Sequence, residues 1–553
     1  MEHGSFRLDH YIFTGAGNVC DPKWGKLPYH IQEINGHTYY YYPPGSSVLS
    51  IPFVAAMHPF GISAVNNDGT YNAGSEEKLE RTLAALLMAG LTCIFFMTAR
   101  LLLPTYWSLA IAISGGFGTS VFSTASRAMW MHTWSIFLLG FVLFLLFKAF
   151  INKKSPNPIL LATLLSWMYF TRPTNSISIV GIALLVLIYS RSIFIPFVIT
   201  GLIWASLFAG YSWHYFGKLL PDYFAPGNLF GPATFFQYFW KGLAGTMISP
   251  ARGLLVYTPS LLFVGFLLGS YYRRIQFKAL MWCGVAVFLV HLITISEFPT
   301  WYAGSCYGPR YMTDMVPWLI LLSAIAVDAM LSHMQEDFHR QIKEKILLTV
   351  GVILVLFSIF MHGRGALCSA THDWNDVPNN INYHQERIWS FKYPQFMAGL
   401  ISIPISKETM GEGETCDKPV YGAPGGLPES GPVICEGFLD SVNGSKPLPD
   451  GLTASSGILL VEGWATISGK DAIIPDVVFV TLTNGRGKLY VKARSVTRKD
   501  VNENFKQPQM PDPGYKAVID VSELSGRYFL GIARFYKGKL ESCSQFNIPV
   551  VIK

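Results

Sequence analysis

Charge is scarce in this chain. Asp, Glu, Lys and Arg make up 14% of its residues against 51% hydrophobic ones, and the mean hydropathy is +0.33. A chain of this length dissolved in water on all sides carries about a quarter of its residues as charges, so an ordinary soluble protein is excluded. Cys-x-x-Cys pairs are lacking too. The eight cysteines are scattered, with no Cys/His spacing suited to zinc, which sets aside a structural zinc site and a thioredoxin-like redox centre. Residues 1–9 hold no apolar core of the kind a cleavable signal peptide needs. The net charge of +7 does not point to nucleic acid, because a membrane protein gathers Lys and Arg on its cytoplasmic loops in any case.

Long apolar segments are what the chain has in abundance. Those at 81–103, 104–123, 133–151, 158–171, 174–189, 192–213, 254–271, 277–296, 313–331 and 346–361 predict about ten transmembrane helices, judged against the ~20 residues a span requires. The fourth and fifth are short and are parted only by Arg172-Pro173, so they form either a tight hairpin or one broken element. A further apolar run at 46–60 is too short to span and reads as a helix lying at, or re-entering, the membrane surface.

Basic residues set the orientation. If the spans alternate, Lys148, Lys153, Lys154, Arg191, Arg273, Arg274, Lys278, Arg340, Lys343 and Lys345 all fall on one side, which is then the cytoplasm. The loops 1–80, 124–132, 214–253 and 297–312, the Arg172 turn and everything after 362 lie outside. This puts a polar N-terminal stretch outside with nothing ahead of it to carry it across. The expectation is therefore that a first transmembrane helix is missing from this reading frame, and the DNA upstream of Met1 is the place to look for it.

Composition divides the chain into an extracytoplasmic loop with its interfacial helix (1–80), a transmembrane helical domain (81–362), an extracytoplasmic linker rich in Gly, Pro and Asp (363–457), and a soluble β-sandwich (458–553). The sandwich begins near 432 at the earliest. Short β-branched runs between Gly, Asn and Asp turns carry the last assignment. Cys435 and Cys543 bracket this region and, if it lies outside, most simply form a disulfide. Within it, Trp464 and Tyr515 are either core residues or platforms for stacking on sugars.

Candidate chemistry gathers in the outer loops. Residues 126–132, 249–254 and 301–311 each place an Arg at the mouth of a span: Arg127, Arg252 and Arg310, with His132 beside the first. An Arg at a helix end also serves as a snorkelling anchor, but anchors of this charge favour the cytoplasmic side. A guanidinium at headgroup level suits bidentate recognition of phosphate. With Tyr42, Trp301, Tyr307 and Tyr311 these groups predict a cationic, aromatic-lined cleft.

Five stretches in this order resemble a known family: Asp9 followed by Tyr-Pro-Pro-Gly (42–45), Arg-Ala-x-Trp-x-His (127–132), Arg-Pro-Thr-Asn (172–175), Ser-Pro-x-Arg-Gly (249–253) and Trp-Tyr-Ala-Gly-Ser-x-Tyr-Gly-Pro-Arg-Tyr (301–311). They look like bacterial members of the GT-C superfamily of membrane glycosyltransferases, close to the dolichyl-phosphate-mannose-protein mannosyltransferase-like group, over roughly residues 1–362. The resemblance implies a GT-C-like polytopic fold in the bacterial inner membrane, with the N-terminal loop and C-terminal domain in the periplasm. It also implies inverting transfer of a sugar from a polyprenyl-phosphate carrier to a lipid, glycan or protein acceptor at the outer face. Asp9 takes the position of the catalytic base, and the arginines and His132 that of donor-phosphate ligands. His10 stands where relatives often carry a second carboxylate, so no metal ligand is assigned, and a divalent cation is the one cofactor left open. Two other readings are a lipid-linked sugar transporter or flippase, and a non-catalytic carbohydrate-binding membrane scaffold.

Overall fold

The computed structural model describes residues 5–9, 30–64, 72–224, 236–334, 341–375, 381–382, 384–401, 417–423, 429–444, 446, 452–454 and 457–552. These fall into two compact units. One is helical, reaching to Ser369 and including Glu386–Phe396. The other runs from Met397 to the C-terminus and includes Ala370–Gln385.

The helical unit opens with a hairpin of β1 (Ile31–Ile34) and β2 (His37–Tyr40). Its two-residue turn is Asn35-Gly36, both at positive φ (53° and 77°), the conformation that matches the twist of the flanking strands and that Asn-Gly adopts at least cost. Helix α1 (Gly45–Met57) follows the Pro-Pro turn. A Cβ on Gly45 would lie 2.5 Å from the backbone of Phe170, so only glycine lets α1 start against the end of α5 (Pro158–Thr171). The Trp134 indole N–H donates to Ser50 Oγ at 2.9 Å and fastens α1 to α4 (Met131–Ile151).

Among the described residues, six helical stretches are long and apolar enough to cross a membrane: Gly74–Arg100, Met131–Ile151, Arg191–Phe216, Lys278–Ser296, Arg310–Met334 and Lys345–Leu367. The other four expected spans form shorter helices, and each break has a local cause. Thr105–Phe117 (α3) gives way, past Gly115, Gly116 and Gly118, to a π-turn at Val121–Ala125. Pro173, which has no N–H to donate, separates α5 from α6 (Ser176–Tyr189). Pro259 likewise splits the 254–271 segment and leaves Ser260–Ser270 as an eleven-residue helix. The helix starts are signalled locally: Asn72 caps α2 (Ala73–Arg100) by accepting from Ser75 N–H, and Asn157 caps α5 just ahead of Pro158.

Leu139, Val142, Leu161, Ile182, Leu292 and Trp318 meet in one core, where the Trp318 indole donates to Ser178 Oγ at 3.1 Å. In contrast, the Arg191–Phe216 stretch has only 11% of its apolar window buried, as expected for a helix covered by hydrocarbon.

The second unit is built of β-sheet. One sheet has four strands in the order β10 (Arg494–Val496), β11 (Gly514–Asp520), β7 (Ile458–Thr466), β5 (Glu436–Val442). The other runs β3 (Val420–Tyr421), β9 (Gly487–Lys492), β8 (Val477–Asn484), β12 (Gly526–Tyr536), β13 (Lys539–Cys543), β4 (Glu429–Val433). In it β14 (Ile548–Ile552) also pairs with β12 and with β6 (Leu452–Ala454). Leu439, Leu459 and Val461 of the first sheet share a core with Val480, Leu482, Leu530 and Ile532 of the second. Strands between 420 and 442 thus belong to the same sheets as those after 458. The expected disulfide is present: Cys435, between β4 and β5, is bonded to Cys543 at the end of β13, one strand before the last.

Candidate functional site

The first residues of α4, the turn that follows α5 and the 3-10 turn Arg310–Met315 that leads into the helix Val316–Met334 converge on one buried carboxylate, Asp314. His132 Nδ1 donates to Asp314 Oδ1 at 2.7 Å. Arg172 Nε donates to Oδ2 at 2.5 Å, and the Thr174 hydroxyl reaches the same oxygen at 3.2 Å. All three ionisable side chains are buried. A carboxylate in this position is tolerated only because its charge is met and both oxygens accept. Nearby, His291 Nε2 donates to the Tyr311 carbonyl at 3.0 Å.

Of the expected phosphate ligands, His132 is buried and its Nδ1 is engaged by Asp314. The sequence reading missed Asp314 and named Arg172 only as part of a motif. The signal available was an acidic residue inside an otherwise apolar span, a rarity that marks function or a buried pair.

Arg310 is different. Its guanidinium carbon stands 4.7 Å from the centroid of Trp130 and 5.6 Å from that of Tyr311, and Arg172 stacks on the same Tyr311 ring at 5.8 Å. Arg310 Nε is buried with no hydrogen-bond partner, and among the described residues no carboxylate pairs with this side chain. Asp314 offsets the charge of Arg172, whereas Arg310 lies between two aromatic rings with no such partner among the described residues.

Tyr223 closes the neighbourhood. Burial pushes its phenol up to about 12, while the charges of Arg172 and Arg310 act in the opposite direction. Its ring packs edge-on against Tyr41 at 5.6 Å and Tyr42 at 5.5 Å. The expected wall residues Tyr42 and Tyr311 are therefore brought together with Arg310, along with Trp130 and Tyr223.

Asp9, in the segment 5–9, lies against β2, the strand that leads into these tyrosines. Its Oδ1 accepts from Thr38 N–H at 2.6 Å and its Oδ2 from His37 Nδ1 at 2.7 Å. These two donors, Thr38 first, hold its carboxyl below the ordinary carboxylate value. The side chain remains accessible and stays ionised at neutral pH. His10 lies outside the described residues.

Three expected site residues are used elsewhere. Arg252 is 2% exposed, and its guanidinium donates to the carbonyls of Tyr302, Ala251 and Gly304 and to Gln395 Oε1. It clamps the 301–306 loop and presents no donor to a cleft. Tyr307, 1% exposed, donates its hydroxyl to the Met361 carbonyl at 2.6 Å and packs against Tyr257 at 5.1 Å. Trp301, 3% exposed, fills the space left by Gly245 and lies against Trp389. Both rings are core, not cleft wall, because the turn that positions Arg310 needs packed rings to hold it. Arg127 is exposed and sits in the field of Arg81 and Glu77 at the start of α2.

Among the described residues, no group of three or more His, Cys, Asp or Glu side chains is placed to hold a metal ion. Comparison of the chain with protein-family models, with curated proteins and with solved structures gives no match.

Proposed function

We propose that this chain is a membrane glycosyltransferase that moves a sugar from a polyprenyl-phosphate carrier to an acceptor hydroxyl. The observation that carries this reading is Arg310: a cation stacked on Trp130 and Tyr311, without a carboxylate partner among the described residues. A guanidinium so placed suits a lipid-linked phosphate, whose tail stays in the hydrocarbon while its head enters the aromatic neighbourhood.

The chemistry assigned to it is a single inverting displacement. The acceptor oxygen attacks the anomeric carbon and its proton passes to the Asp9 carboxylate. The bond from that carbon to the phosphate oxygen breaks with its electron pair on the phosphate, and Arg310 meets the added charge. In the same proposal the four shorter apolar helices complete a GT-C-like bundle of about ten spans, and the two sheets of the C-terminal unit form a β-sandwich. The membrane is the bacterial inner membrane, with the hairpin and the β-unit in the periplasm. Helix α1 then lies along the interface and guides the lipid carrier.

A second reading has an observation of its own. Asp314, Arg172, His132 and His291 form a buried ionisable group among the helices, which a transporter of lipid-linked sugar also employs. Protein reconstituted with radiolabelled polyprenyl-phosphate sugars separates the two. Transfer or donor hydrolysis that is lost in Asp9→Asn and in Arg310→Ala supports the transferase. Movement of intact donor across the bilayer without cleavage, or full cleavage by Asp9→Asn, overturns it.

A further inference from the structure

In the C-terminal unit the chain crosses from one sheet to the other at Ala493, which joins β9 of the larger sheet to β10 of the smaller one. A cleft of about 400 Å3 lies at this crossing, within the usual size range for small-ligand sites. Asp417, Asp476 and Asp512 line it together with Lys492 and Arg494. Tyr515 also lines it, with its hydroxyl committed to the Phe438 carbonyl at 3.1 Å.

The chemistry of the lining limits the occupant. Three carboxylates against two cations give a net negative cleft, which disfavours phosphorylated ligands and nucleic acid. The carboxylates do not converge on a metal site among the described residues, so they act separately, as acceptors spread around the walls. The polar lining does not suit an acyl chain. Acceptors and charged donors distributed around a cleft of this size match a ligand with many hydroxyls.

We propose that this cleft binds a neutral saccharide, with Asp417, Asp476 and Asp512 accepting from its hydroxyls and Lys492 and Arg494 donating to its oxygens. The site is separate from the Arg310 region and does not depend on the function proposed for it.

The test uses the full chain in detergent micelles, passed over immobilised neutral oligosaccharides built from hexoses and N-acetylhexosamines. Retention is expected for at least one of them, with deuterium exchange slowed at 474–478, 492–495 and 512–515. The double variant Asp417→Asn/Asp512→Asn, altered at two exposed positions, is expected to keep its Tm and lose about tenfold or more in affinity, as two weakened hydrogen bonds imply. Failure to retain any of these oligosaccharides overturns the proposal, as does equal retention by the double variant. Tighter binding of phosphorylated than of neutral oligosaccharides, or protection confined to the β10 edge on adding an extended peptide, overturns it as well.

Discussion

Arg310 and Trp130 meet at 4.7 Å, a cation over an aromatic face, and the guanidinium's Nε is buried without an acceptor. Arg172 lies only one ring away, yet it is bound to Asp314. Of two neighbouring arginines, one is paired with a carboxylate and the other has no carboxylate partner among the described residues.

Arg310→Ala is expected to weaken polyprenyl-phosphate binding by about 10- to 100-fold, the loss of one or two charge-assisted hydrogen bonds at ~1.5–3 kcal/mol. Arg310→Lys keeps the charge but not the planar fork and falls between. Trp130→Ala costs about two- to fivefold through the lost cation–π contact of ~0.5–1 kcal/mol. Titration of solubilised protein with the lipid phosphate, followed by native mass spectrometry, measures all three. Unchanged affinity in the alanine variant removes Arg310 from the site.

Asp314→Asn leaves Arg172 buried without its counter-charge and is expected to destabilise the helical unit by about 3–5 kcal/mol. Adding Arg172→Gln restores much of the loss, because the second charge is then gone too. Thermal unfolding in detergent gives both values and the coupling between them. A Tm in the single variant no lower than that of a surface substitution contradicts the pairing.

Asp9 has a pH signature of known sign. Its carboxyl is held below the ordinary value of 3.8 in the folded protein, so its tie to Thr38 and His37 is complete above that value and is lost as pH falls through the lower folded one. The Thr38 amide resonance, observed with 15N-threonine labelling, is therefore expected to move as pH falls below about 4 in the native chain. Asp9→Asn removes this transition. An acid transition of the same size in Asp9→Asn would show that Asp9 does not govern it.

The Cys435–Cys543 bond closes a loop of 108 residues, for which the chain-entropy argument gives about 5 kcal/mol of stabilisation. Replacing both cysteines by serine is expected to lower the unfolding free energy of the β-unit by about that amount, and its denaturation midpoint in proportion. Reductant is expected to do the same to the native chain and to leave the variant unaffected. Chemical denaturation followed by limited proteolysis of the β-unit reads the difference.

The features legible in the sequence are those that depend on neighbours along the chain. The Asn35-Gly36 turn follows from dihedral preference, the breaks at Arg172-Pro173 and Pro259 from a missing N–H, and the apolar helices from runs of side chains that water rejects. The partner of Cys543 was legible as well, because the strand-rich composition between the two cysteines marks one unit.

The roles of the charged residues were not legible in this way. Asp314 lies 142 residues from Arg172 and 182 from His132, and no local pattern records that these three cancel one another. Arg252 and Arg310 look alike in sequence, each beside Gly and Pro at the end of a span. The donors of one are taken up by the carbonyls of a folded loop, whereas the other lies against two aromatic rings with no carboxylate partner among the described residues. By itself the sequence determined where the chain is apolar, where it turns and which groups are ionisable, since these are properties of single residues and short stretches. Which charges are buried, paired or available was decided only when packing brought the helix ends together, because desolvation and pairing depend on the neighbours supplied by the whole fold.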